Sequence, residues 1–131
     1  MLVLLGLASG LVLARGPSRS AGLDLRLARN AVSGALRLAR TEAISRNAPV
    51  SVMFDPGTGT VRIGARPLLS LPAGVAMAVI TTADSSAGAQ AAISFLPDGS
   101  STGGRVELSV GGRRVRVDVE WLTGRVAAEA P

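Results

Sequence analysis

Carboxylates, hydroxyls and glycines are the residue types in this chain best suited to chemistry, and two places gather them. One is "PDGSSTGG", Pro97 to Gly104, with three glycines and three hydroxyl side chains. The other is the pair Asp118 and Glu120, spaced so that they share one face of a strand. A glycine- and hydroxyl-rich loop can cradle phosphate when a lysine and a helix N-terminus accompany it. Two carboxylates on one face could serve as the acid and base of a glycosidase. Composition narrows the rest: the sequence has no Cys, His or Tyr, and all 14 basic residues are Arg. Without His or Cys there is no Ser-His-Asp or Cys-His arrangement and no zinc site of the usual kind. Lysine, the common substitute base, is missing as well.

Context argues against both gatherings. The segment after Gly104 is "RVELSV", a strand pattern, so no helix N-terminus faces an anion bound at the loop. Asp98 has no second carboxylate nearby in sequence, which argues against calcium. The loop reads as a connection: Asp98 and Gly99 make a turn, Ser100 to Thr102 satisfy backbone groups, and Gly103 and Gly104 reset the chain for a new strand. Asp118 and Glu120 read as the solvated side of a strand, leaving a carbohydrate-processing enzyme as an outlying alternative. No metal or cofactor is expected.

The net charge of +5 raises the question of an anionic partner, nucleic acid or membrane. The arginines are scattered and no aromatic side chains interleave with them, so the pattern argues against nucleic acid.

At 131 residues the chain is about one domain long. Residues 1–14, "MLVLLGLASGLVLA", carry no charge, and Leu2, Val3, Leu4, Leu5, Leu7, Leu11, Val12 and Leu13 are the candidate membrane-embedded side chains. As a helix this run reaches roughly 21 Å, short of a hydrocarbon core of ~30 Å. It is open to three readings: a buried helix, a signal core lacking its front, or a membrane helix that begins upstream of Met1. Residues 15–22 break the run with Arg15, Gly16, Pro17 and Arg19. Residues 23–47 show helical periodicity. Arg26, Arg29, Asn30, Ser33, Arg37 and Arg40 fall on one side, and Leu27, Ala28, Ala31, Ala35, Leu38 and Ala39 on a packing side. Asn47, Ala48 and Pro49 supply a stop.

From residue 48 to 131 the period becomes two, as in a β domain. "VSVMFD", the turn "PGTG" and "TVRI" read as a hairpin, followed by strands in "GVAMAVITT" and "AAISFL" with the loop "ADSSAGAQ" between them. The clearest element is "RVELSV", "GG", "RRVRVDVEW", a hairpin about Gly111-Gly112. Its register sets Leu108 against Val115 and Val106 against Val117 on one face. On the other face Glu107 meets Arg116 and Arg105 meets Asp118. The expected class is α+β, a long N-terminal helix followed by an antiparallel β-sandwich.

The apolar start, "LRLARTEAISRNAPV" (Leu36 to Val50), "FLPDGSSTGGRVEL" (Phe95 to Leu108) and "WLTGRV" (Trp121 to Val126) resemble, in order and spacing, the GspH/FimT family of minor pseudopilins and pilins. The resemblance covers nearly the whole chain. It implies a pilin-like fold, with the first half of the helix in the bacterial inner membrane and the β-sandwich in the periplasm. It also implies a non-enzymatic subunit near the tip of the type II secretion pseudopilus, acting in export of folded proteins. Its partners would be other pseudopilins, inner-membrane secretion components and exported proteins. Such proteins share a leader ending in Gly followed by Phe-Thr-Leu-x-Glu, and Met1 falls just after that glutamate. The expectation is that the upstream reading frame encodes the leader. The alternative within the family is a FimT-like minor pilin for DNA uptake, which grips phosphates with arginines near its C-terminus. Here that would be Arg125, which stands beside Glu129 with no second arginine after it.

Overall fold

The computed structural model describes residues 21–81 and 90–128. The apolar run 1–14, the break up to residue 20 and all of "ADSSAGAQ" except Gln90 lie outside the described residues. Helix α1 spans Ala21–Arg46. It stops where expected, by a Schellman arrangement. Asn47 takes the left-handed conformation at φ 51°, its amide donates to the Ile44 carbonyl, and the Ala48 amide donates to the Ala43 carbonyl. Pro49 then directs the chain into a strand.

Eight strands follow: β1 Val50–Asp55, β2 Thr60–Ile63, β3 Arg66–Ser70, β4 Ala76–Ile80, β5 Ala91–Phe95, β6 Gly104–Val110, β7 Arg113–Val119 and β8 Val126–Ala128. They form two four-stranded sheets, ordered β3-β2-β1-β5 and β4-β6-β7-β8, with every pairing antiparallel. The β6–β7 register is the expected one, Leu108 opposite Val115, Val106 opposite Val117, Glu107 opposite Arg116 and Arg105 opposite Asp118. The β1–β2 turn is held by Asp55, whose Oδ1 accepts the Gly57 amide at 3.1 Å. Two strands were not expected. β3 begins with Arg-Pro, which reads as a turn, yet it pairs with β2 across an irregularity at Val61/Arg62 that sets Pro67 opposite Arg62. β8 has three residues and exists by pairing with β7.

The core lies where α1 meets both sheets. Leu25, Val32 and Leu36 from α1, Val52, Phe54, Val61, Ile93 and Phe95 from the first sheet, and Val106, Leu108, Val115 and Val117 from the second are all fully or almost fully buried. The buried side of α1 consists of Leu25, Ala28, Val32, Ala35, Leu36, Ala39 and Ala43. That is rotated by about 70° from the packing side read off the sequence, at about 100° per residue. Leu27 and Leu38, assigned to packing, are 44% and 45% exposed, whereas Ser33, assigned to the polar side, is only 2% exposed. The reason is the low contrast of an alanine-rich helix: three β-branched or leucine side chains on a flank outweigh two leucines at the presumed centre.

Candidate assembly surfaces

The loop Pro97–Gly104 joins β5 to β6 and is held from inside and outside. Gly99 closes a turn by donating its amide to the Leu96 carbonyl at 2.9 Å, with φ +89°, a conformation glycine adopts without the Cβ penalty. Asp98 Oδ1 accepts from both the amide (3.0 Å) and the hydroxyl (2.6 Å) of Ser100. Those two donors hold its carboxyl below the ordinary carboxylate value. Ser101 is buried; its hydroxyl donates to the Ser94 carbonyl at 2.8 Å and accepts the Gly103 amide at 3.0 Å. Gly103 has φ +78°, and a Cβ there would stand 3.0 Å from Trp121 Cβ. A Cβ on Gly104 would stand 3.0 Å from the Ile80 carbonyl oxygen. The loop is a connection, and its hydroxyls are engaged within it and with the backbone of Ser94 in β5.

From outside it is locked by two segments distant in sequence. Arg40 of α1 donates through Nε to the Gly99 carbonyl at 3.1 Å. The β7–β8 turn brings in Gly124, φ +69°, whose added Cβ would run into the Gly99 carbonyl oxygen and stand 3.0 Å from Arg40 Nε. The Ser101 amide also donates to the Trp121 carbonyl at 2.9 Å. Arg40, Gly99 and Gly124 come from the three stretches that carried the family resemblance, and here they meet at one junction.

Beside this junction runs a groove of about 610 Å³ lined by Arg37, Arg40, Thr41, Glu120, Thr123, Gly124, Arg125 and Val126. Arg125 therefore sits with two helix arginines that sequence distance concealed. Arg37 and Arg40 each give a hydrogen bond to a backbone carbonyl, of Val126 at 3.4 Å and Gly99 at 3.1 Å. Asp118 and Glu120 line one cavity with Arg105 and Arg125, but their hydrogen-bond partners differ. Asp118 accepts from Arg105 Nε at 2.7 Å, while Glu120 lies past the end of β7 and accepts from the Thr123 hydroxyl at 3.2 Å.

One exposed stripe of α1 is apolar, flanked by the exposed polar residues Arg26, Asn30, Arg37 and Thr41. Leu23, Leu27, Ala31, Gly34 and Leu38 follow one another at intervals of four, four, three and four residues, and all are exposed. Ala31, Gly34 and Leu38 border a shallow cleft against Leu68 and Leu69 of β3. A Cβ on Gly34 would meet nothing within 4 Å.

Residues 28–123 match the family model described as Type II transport protein GspH. The chain belongs to the GspH family. A Type II secretion system protein H from Xanthomonas campestris pv. campestris is 35% identical over 127 residues, covering 96% of this chain and 75% of that protein. Among solved structures, the minor pseudopilin EpsH from the type II secretion system of Vibrio cholerae superposes with a TM-score of 0.67 at 16% identity, covering 86% of this chain and 97% of that one. The type IV minor pilin FimU of Pseudomonas aeruginosa gives a TM-score of 0.63 at 18% identity, over 80% and 87% of the two chains. At such identities the two structures share the GspH fold with this chain, pilin-like as expected.

Within that GspH frame, Pro97, Asp98, Gly99, Gly103 and Gly104 lie together in the junction loop and Arg125 lies at the groove. Leu2, Val3, Leu4, Leu5, Leu7, Leu11, Val12 and Leu13 lie outside the described residues. Sequence reading missed the docking of Arg40 between Gly99 and Gly124, for which no short-range signal exists. The exposed stripe was findable: its leucines stand out, but they were assigned inward.

Proposed function

We propose that this chain is a minor pseudopilin, a non-enzymatic subunit of the type II secretion pseudopilus that acts in export of folded proteins. It is held in the inner membrane by residues 1–14, with residues 48–131 as its periplasmic β domain and other pseudopilins as its neighbours. Membership of the GspH family supports the role, and the exposed stripe Leu23, Leu27, Ala31, Gly34 and Leu38 is the observation that carries it. A monomer has no use for a helical face of leucines around small residues, whereas side-by-side helices bury one. Because Leu27 and Leu38 are exposed, Leu27→Glu with Leu38→Glu leaves the fold intact and abolishes export of folded periplasmic proteins. Normal export in a strain carrying that variant refutes the reading.

The groove gives a second reading, DNA uptake, its specific support, because Arg37, Arg40 and Arg125 all line it. Against it, two of these arginines are drawn to backbone carbonyls and Glu120 stands among them. Each neutralised phosphate adds one step of salt-dependent affinity, so a groove with one uncommitted arginine holds duplex DNA weakly. Arg125→Ala therefore leaves duplex binding at moderate salt unchanged. Lost transformation with normal secretion in the deletion strain reverses the choice.

A further inference from the structure

The β6–β7 hairpin ends in the turn Gly111-Gly112, followed by Arg113 and Arg114, both exposed. Neither guanidinium has a hydrogen-bond or ion-pair partner among the described residues. The hairpin tip lies against the first turn of α1. A Cβ on Gly22 would stand 2.5 Å from Arg113 Nη1, so Arg113 lies over the beginning of α1 as described. Strand β7 then runs alongside the helix. By Arg37 it is the β8 residue Val126, partner of Val119 at the far end of β7, that the helix touches. Arg26 stands one turn above Gly22 on the same flank and is exposed. Among the described residues, Asp24 is the acidic side chain of the first turn of α1, and its Oδ1 is buried without a hydrogen-bond partner. Among the described residues this end therefore carries Arg113 and Arg114 at the tip and Arg26 on α1, set against the carboxylate of Asp24.

Helix α1 starts at this end, and the uncharged run 1–14 precedes it in the sequence. Eight residue steps separate Ala14 from Gly22, which spans at most about 28 Å of fully extended chain. We propose that the β6–β7 tip is a membrane-surface contact in which Arg113 and Arg114 bind the headgroup phosphates of anionic phospholipid, holding the β domain down on the bilayer before assembly. The inference rests on residues 1–14 being membrane-embedded. Guanidinium forks suit phosphate oxygens, and a basic residue close to an anionic surface gains about 1 kcal/mol, equivalent to about fivefold in the ratio of docked to undocked domain. The attraction fades within a Debye length of about 8 Å at physiological salt, so contact requires the tip to sit at the surface.

The sequence contains no cysteine, so one introduced at the tip is a unique labelling site. Gly112 is the place for it, since its φ is not in the left-handed region and an added Cβ meets nothing within 4 Å. Full-length Gly112→Cys carrying a nitroxide is reconstituted into vesicles of phosphatidylcholine alone or with about one third phosphatidylglycerol. Flotation reports insertion, and collision with a water-soluble nickel chelate reports tip exposure. The expected result is flotation with both vesicle types and protection of the label by phosphatidylglycerol alone. Protection is lost in Arg113→Ser with Arg114→Ser, by about 25-fold in the docked ratio for two arginines at about fivefold each. It is retained in Arg113→Lys with Arg114→Lys, and far-UV circular dichroism checks that each variant folds. Flotation with equal exposure in both vesicle types overturns the tip contact and leaves membrane insertion standing. Failure to float with either overturns insertion and the contact with it.

Discussion

Gly124→Ala tests the junction most directly. At φ +69° a Cβ costs about 1–2 kcal/mol from backbone sterics alone. Here it also meets the Gly99 carbonyl oxygen, so the two loops must separate, and the Arg40 to Gly99 hydrogen bond at 3.1 Å is stretched or lost. A hydrogen bond from a charged donor contributes about 1.5–3 kcal/mol, with partial exposure favouring the lower end. The sum is about 2.5–5 kcal/mol, nearer the lower end, and a large share of a typical stability of about 5–15 kcal/mol. Two glycines in the β6–β7 turn serve as controls. Gly111 has φ +58° and open space, so Gly111→Ala loses the backbone part alone; Gly112 has neither constraint, so Gly112→Ala is neutral or slightly stabilising. Urea denaturation followed by circular dichroism gives the order Gly124→Ala, Gly111→Ala, Gly112→Ala from least to most stable. Arg40→Ala added to Gly124→Ala costs less than the sum of the two, because both act on one contact. Equal midpoints for Gly124→Ala and Gly111→Ala, or full additivity with Arg40→Ala, refute the lock.

The β6–β7 register is tested by exchanging charges. Glu107→Arg and Arg116→Glu each lose about 0.2–1 kcal/mol as single changes, and the double variant recovers most of it in a denaturation cycle. Asp98 makes stability depend on acid. Its folded pKa is depressed, so its contribution is complete above the ordinary carboxylate range and disappears as pH falls through the lowered folded value. Asp98→Asn therefore lowers stability near neutral pH and flattens the acid limb of a stability-against-pH curve, measured by urea midpoints from pH 7 downwards.

Elements whose local pattern and long-range partner agree were legible in the sequence. The β6–β7 hairpin is the clearest: alternation, a two-residue glycine turn and complementary charges all specify one register. The end of α1 was legible too, because Asn47 and Pro49 act locally. The rotation of α1 was not, since its true core side is built from Leu25, Val32 and Leu36 set among alanines that fit several orientations. Ser33 was lost for the same reason. β3 and β8 carry weak local signals and are strands through their neighbours. At the junction, the glycines of "PDGSSTGG" were read correctly as a turn. That Gly99 must also be bare to admit Arg40, and Gly124 bare to admit the Gly99 carbonyl, depends on contacts across 59 and 25 residues of chain.

Pro67 and the shortness of β8 bear on which polymer such a chain can form. A sheet edge is a template: an exposed row of amides and carbonyls invites another strand, and repetition yields a fibre of stacked sandwiches. On one side of each sheet that route is blunted. β3 has a proline, which has no amide hydrogen to give, beside a register irregularity, and β8 offers three residues. Main-chain pairing accepts almost any extended partner, whereas the leucines and glycine along α1 accept a surface of matching shape. A pseudopilus subunit of this kind thus keeps its indiscriminate contacts short on one side of each sheet and leaves the choice of neighbour to side chains.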